Sequence, residues 1–130
     1  MKLGWTLIYV PDVAAAVAFY EAAFGLQRRF MHESGTFAEL ETGETALGFA
    51  AESMADASGI TIRPNRPGDA AAGFELCLVS DDPEGAYDRA VANGARAEKP
   101  VEAKPWGQRV GYVRDLNGCL VELCSPAGAS

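Results

Sequence analysis

Hydrophobic positions along the chain follow two rhythms, and each half of the chain uses both in the same order. Leu3–Val10 (LGWTLIYV) is apolar and rich in strand formers, which predicts a buried strand. Pro11 and Asp12 end it, and Asp12 is placed to cap the next element. Val13, Val17, Tyr20 and Phe24 then recur at helical spacing, with alanines between them, and Gly25 stands where a helix would stop. Gln27–His32, Thr36–Glu41 and Thr45–Ala50 read as three short strands, separated by turn residues at 34–35 and 42–44.

Residues 51–73 break the rhythm. They hold three Gly and two Pro and keep no period, which predicts a linker or long loop. Then the order restarts. Phe74–Ser80 reads as a strand, and Asp82–Asn93 as a helix with Pro83 in its first turn. Arg96–Val101, Gln108–Arg114 and Cys119–Cys124 read as strands. Asp115-Leu-Asn-Gly118 is a tight hairpin turn.

The halves align. Val10, Asp12 and Gly25 meet Val79, Asp81 and Gly94 at a constant offset of 69 (10 to 79, 12 to 81, 25 to 94). A strand end, a cap and a helix stop repeating in register point to an internal duplication. The expected class is α+β, with two tandem βαβββ modules that form a curled open sheet. Module 1 covers about 1–51, the linker about 52–72 and module 2 about 73–126, within a single domain over 1–130. Two half-sheets side by side would make an open cup.

Composition narrows the partners. The chain has 130 residues, a net charge of −7 and a pI of about 4.6. Nucleic-acid phosphates call for the opposite sign, so no nucleic acid is expected. No apolar run approaches the roughly 20 residues of a membrane helix, so no membrane partner is expected. Cys77, Cys119 and Cys124 form no C-x-x-C pair and read as small hydrophobes in a reducing compartment. The expected location is the cytoplasm.

Two stretches resemble a known family. "YVPDVAAAVAFYEAAFGL" looks like the first strand and helix of the vicinal oxygen chelate superfamily, and "PWGQRVGYVRDLNGCLVEL" like its closing hairpin. That superfamily includes glyoxalase I, extradiol dioxygenases, fosfomycin-resistance enzymes and bleomycin-resistance binding proteins. The resemblance covers nearly the whole chain and implies the same paired βαβββ fold. Its metal-dependent members carry one ligand on the first and one on the last strand of each half. The resemblance places these on Trp5, Gly48, Phe74 and Glu122, so only Glu122 carries a donor. Glu75, beside Phe74, is expected on the other face of its strand, because a one-residue shift turns a side chain over. The superfamily's zinc, nickel and iron sites combine imidazole with carboxylate. This chain has one His, His32, in a turn-like "HESG". No metal and no cofactor are therefore expected.

Alternation sorts the remaining candidates. Trp5, Leu7 and Tyr9 share a face of the first strand, and Phe74, Leu76 and Leu78 one of the fifth. Trp106, in a Pro-Trp-Gly loop, reads as a rim residue. The candidate ligand-binding set is Trp5, Tyr9, Phe74, Trp106 and Glu122. Glu122 is the single catalytic candidate, with Arg109 and Arg114 as its expected ion-pair partners. The leading expectation is a metal-free small-molecule binder for aromatic or cationic compounds, resembling the bleomycin-resistance members and acting as a homodimer. Two alternatives stand beside it. One is a glyoxalase- or dioxygenase-related enzyme using Glu122 with an atypical or substrate-assisted metal site. The other is a structural module whose cup is plugged by Trp5 and Phe74.

Overall fold

A computed structural model describes residues 1–127 of the chain. The chain divides into two compact units, with the boundary between Pro64 and Asn65. That boundary lies inside the stretch read as linker. Each unit is an α+β module built on one four-stranded sheet.

The first unit runs β1 (Trp5–Val10), α1 (Val13–Phe24), β2 (Gln27–Met31), β3 (Phe37–Glu41), β4 (Ala46–Ala51) and α2 (Glu52–Ala57). Its sheet has the order β1-β4-β3-β2. β1 and β4 run parallel, and the other neighbours run antiparallel. α1 forms where the spacing places it. Asp12 caps its N-terminus by accepting from the Ala15 N–H at 3.0 Å. Gly25 ends it with φ 68, and its N–H donates to the Glu21 carbonyl. The helix buries Val13, Ala16, Val17, Phe19, Tyr20 and Ala23. Tyr20 meets Phe49 of β4 at 5.0 Å between ring centroids. Ile8, Val10, Leu40 and Phe49 complete this core.

α2 is a departure from expectation. Its six residues, ESMADA, are too few to establish a period, and Ala51 provides no side-chain cap. Packing of buried Ala55 holds it in place of intrinsic propensity.

The second unit contains β5 (Leu76–Val79), α3 (Pro83–Ala92), β6 (Arg96–Ala103), β7 (Arg109–Arg114) and β8 (Leu120–Cys124), with sheet order β5-β8-β7-β6. β5 and β8 are parallel, and β8–β7 and β7–β6 are antiparallel. Its core is lighter: α3 buries only Pro83 and Ala90, against six residues for α1. The β7–β8 hairpin turns as expected. Asp115, itself buried, accepts from the N–H groups of Asn117 at 2.9 Å and Cys119 at 2.8 Å.

The unequal cores predict unequal sensitivity. Phe49→Ala should destabilise the first unit by about 3–5 kcal/mol, since it empties the contact with Tyr20. Asp12→Ala should cost about 1 kcal/mol through loss of the cap. Urea titrations followed by circular dichroism check both, and equal effects of the two substitutions would contradict the packing argument.

Candidate functional site

Glu122 lies mid-strand in β8, and the sheet brings it two neighbours. Cys77 stands opposite it on the parallel side, and Tyr112 opposite it on the antiparallel side. Side chains directly across a ladder share a face. Val121 and Leu123 point the other way and are buried. Glu75 precedes Cys77 by two and comes to the Glu122 face. The ligating atoms of Glu75, Cys77 and Glu122 all lie within 4.8 Å of one another.

This corrects the sequence expectation. The carboxylate beside Glu122 is Glu75, and Phe74 is not its equivalent. Phe74 is exposed and stands outside the cluster. The error is one residue of repeat register. α3 is capped by Asp82, whose carboxylate accepts from the Gly85 N–H at 3.1 Å, and not by Asp81. Asp12 to Asp82 is an offset of 70, which carries Trp5 to Glu75 and Tyr9 to Val79. The offset of 69 from Gly25 to Gly94 does not carry back to the caps, because α3 is the shorter helix, ending at Ala92 with Asn93 at its C-cap. Pro83 at the first helical position marks Asp82 as the cap, and this was the available signal.

The site is a set of acids that suppress one another. A side-chain hydrogen bond between the Glu75 and Glu122 carboxyl groups favours the protonated form of Glu75. Burial, that bond and the Glu122 charge raise the pKa of Glu75, while the Cys77 thiol, donating to Glu75 Oε1 at 3.4 Å, opposes the rise. Cys77 is pushed up to about 12 by burial, its bond to Glu75 and the two carboxylates. Cys124 rises to about 11 through burial and its bond to Glu122. Tyr112 is raised by burial and by the same two carboxylates, and it also hydrogen-bonds Glu122.

The arginines expected beside Glu122 are occupied elsewhere. Arg109 pairs with Glu84 of α3. Arg114 Nη2 approaches Glu98 at 3.4 Å. Among the described residues neither Glu75 nor Glu122 forms an ion pair. The other predicted residues are spread over both units. Trp5, 55% exposed, shares a face of the first sheet with Leu7 and Tyr9. On that face Leu7 stands opposite Gly48, where an added Cβ would lie 3.0 Å from Leu7 Cδ1. In the second unit, Trp106 is 64% exposed and its indole N–H donates to Gln108 Oε1 at 2.8 Å. His32 is bound into its turn, with Nδ1 accepting from the Ser34 N–H at 3.1 Å.

A sequence profile of the Glyoxalase/Bleomycin resistance protein/Dioxygenase superfamily matches residues 2–123. The chain belongs to this superfamily. It is 30% identical over 125 residues to the uncharacterized protein YraH of Bacillus subtilis (strain 168), covering 95% of this chain and 97% of that one. The fold is similar to a glyoxalase/bleomycin resistance protein/dioxygenase family enzyme from Burkholderia phytofirmans PsJN, with TM-score 0.80, 22% identity and coverage of 96% and 98%. It is also similar to TioX from Micromonospora sp. ML1, with TM-score 0.72, 22% identity and coverage of 96% and 98%. At these identities the structural likeness speaks for the fold alone.

The superfamily's metal invites a test of fit. The corrected register gives the second unit two carboxylates, Glu75 and Glu122, where the sequence reading counted one. The equivalent positions of the first unit are Trp5 and Gly48, and neither side chain offers a donor. Cys77 adds a thiol whose pKa near 12 keeps it protonated at neutral pH, whereas a metal takes the thiolate. No imidazole stands in the cluster. The donor set does not fit the superfamily's imidazole–carboxylate site.

The mutual suppression has two measurable outcomes. Cys77, although exposed, should react slowly with iodoacetamide at about pH 8, and Glu75→Gln or Glu122→Gln should speed it. Alkylation rates by mass spectrometry check this, and a fast wild-type rate would contradict it. The raised pKa of Glu75 also has a stability sign. The folded state holds its proton more tightly than the unfolded chain, so the contribution is full below the unfolded pKa. It is lost as pH rises through the folded pKa. Glu75→Gln should therefore gain stability relative to the wild type as pH rises above the ordinary carboxylate range, as measured by urea midpoints.

Proposed function

We propose that the chain is a small-molecule-binding protein that works without its superfamily's metal. Its ligands are cationic compounds with an aromatic or apolar body. The Glu75–Glu122 pair is the anchor. The observation that carries this reading is two carboxylates on one sheet face with no arginine or lysine paired to them among the described residues. Their surroundings suit such a ligand: Tyr112 beside Glu122 supplies an aromatic face, and the neighbouring Val79 is 62% exposed. An ammonium group placed at the pair has its charge met by both carboxylates. Trp106, in the same unit, is a further ligand-contact residue under this reading. Phe74 leaves that set because its place belongs to Glu75.

A second reading rests on the same pair. A carboxyl group with a raised pKa, Glu75, beside a second carboxylate offers an acid and a base in contact, which is the requirement for metal-free proton transfer. Here Glu75 is the acid, Glu122 the base, and Tyr112 orients Glu122. Substrate turnover lost in both Glu75→Gln and Glu122→Gln would favour this reading over simple binding.

Exposed Trp5 and Val79 on open sheet faces support a homodimer, which light scattering at micromolar concentration would test. Three free cysteines suit a reducing compartment such as the cytoplasm. No described helix is long and apolar enough to cross a membrane.

Elemental analysis of protein purified without chelators should find no near-stoichiometric zinc, nickel, iron or manganese, and finding one would overturn the metal-free reading. A thermal-shift screen of planar aromatic amines against neutral analogues should stabilise with the amines only. Glu122→Gln should weaken the best amine by about 1.5–3 kcal/mol, roughly ten- to hundredfold. Affinity should rise with pH as Glu75 loses its proton. Equal affinity for amine and neutral analogue would remove the anchor role.

A further inference from the structure

Glu75 belongs to no strand. β5 begins one residue later, at Leu76, and pairs over only four residues. The position of Glu75 therefore depends on what holds the chain on either side. Downstream, the hold is the rung between Leu76 and Val121. That short edge strand has to resist Glu122, since two ionised carboxylates repel.

Upstream, the chain is held at a turn, where the Asp69 N–H donates to the Arg66 carbonyl at 3.1 Å. Three features of the second sheet grip this turn. Arg96 Nη1 donates to the Pro67 carbonyl at 2.8 Å. Arg114 Nη1 donates to the Asp69 carbonyl and to the Gly118 carbonyl, each at 3.3 Å. Gly118 lets the turn approach, since a Cβ there would lie 2.5 Å from the Arg66 carbonyl oxygen, and its φ of 90 already favours glycine. Arg114 is the centre of the grip. Its side chain is 11% exposed, its Nη2 reaches Glu98, and its Nε is buried with no partner among the described residues. A buried donor without a partner is costly. The contacts made by the rest of the guanidinium hold it there against that cost.

Both anchor points stand on the same hairpin. Arg114 pairs with Leu120, and the next rung, Val113 with Val121, is the one that receives Leu76. Residues 70–75 thus form a short span fixed to β7–β8 at each end. We propose that Arg114, with Arg96 and Gly118, is a positioning clamp that holds the 65–69 turn on this hairpin and so delivers Glu75 to Glu122. The functional consequence rests on the reading of that pair as the ligand anchor, but the placement does not.

Carboxyl NMR titration of protein labelled at glutamate tests the clamp without any ligand. The groups facing Glu75 are Cys77 from β5, Glu122 and Cys124 from β8 and Tyr112 from β7. With the clamp intact, Glu122→Gln should lower the Glu75 midpoint. In Arg114→Gln and in Arg96→Ala the Glu75 midpoint should already fall toward the ordinary carboxylate range, and adding Glu122→Gln should move it no further. Arg96 is exposed, so its variant carries the test if Arg114→Gln does not fold. An unchanged Glu75 midpoint, still responsive to Glu122→Gln in a natively folded Arg96→Ala or Arg114→Gln protein, would overturn the proposal. Failure of amines to bind, with the titration result as expected, would sink the anchor reading and leave the clamp standing.

Discussion

The rung between Cys77 and Glu122 decides what the second unit offers to solvent. In a parallel pair the side chains of matched residues lie on one face, so this rung fixes Glu75, Cys77 and Val79 on the side of Glu122. A slip of one residue would exchange them for Phe74, Leu76 and Leu78. The first arrangement is a carboxyl pair with a thiol beside it. The second is a lone carboxylate against three large apolar groups. The same chain would then carry different chemistry. Asp82, Pro83 and Ser80 hold the chosen register. The Asp82 carboxylate caps α3, and its N–H donates to Ser80 Oγ at 3.0 Å, so the strand must end where the helix begins.

The two units put the same fold to different uses. The first invests in burial, with a helix that covers six residues and an aromatic contact between Tyr20 and Phe49. Its positions matching Glu75 and Glu122 hold Trp5 and Gly48. The second unit buries only Pro83 and Ala90 of its helix and carries Glu75 and Glu122 on the sheet face away from Val121 and Leu123. A duplication in which one copy keeps ionisable groups and the other carries an indole and a bare backbone departs from a symmetric ligand cage. It leaves the chemistry with one copy.

Most of the architecture was legible because it rests on local rules. The period of α1, the caps at Asp12 and Gly25 and the Asp115–Gly118 turn are written in neighbouring residues, and each formed as read. α2 was not legible, since six residues cannot display a helical period. The site was half legible. Glu122 stood out as a charge among apolar neighbours. Its partners did not, for two physical reasons. Asp81 and Asp82 are both competent caps, and choosing the first shifted every residue of β5 to the wrong face. Arg109 and Arg114 were expected to neutralise Glu122 because they flank its hairpin. Glu84 and Glu98 claim them instead, from elements that sequence proximity does not connect.

With those arginines engaged, no ion pair among the described residues neutralises the carboxyl pair, and the cost appears as a raised pKa at Glu75 and in the neighbours. Cys77 and Cys124 are held well above their ordinary range, and Tyr112 is raised as well, because each would add a third negative charge to the same small area. Such a site resists becoming more anionic, so anionic substrates are disfavoured on charge alone. It also withholds the thiolate a soft metal would seek. A monovalent cation that can accept both carboxylates relieves the repulsion without demanding further donors, and an ammonium group with several N–H bonds to give meets that description. Under the proposed reading, a preference for a cation arises from how the surrounding acids constrain one another, and the proposed clamp at Arg114 matters because the pair has this character only while Glu75 is kept within reach of Glu122.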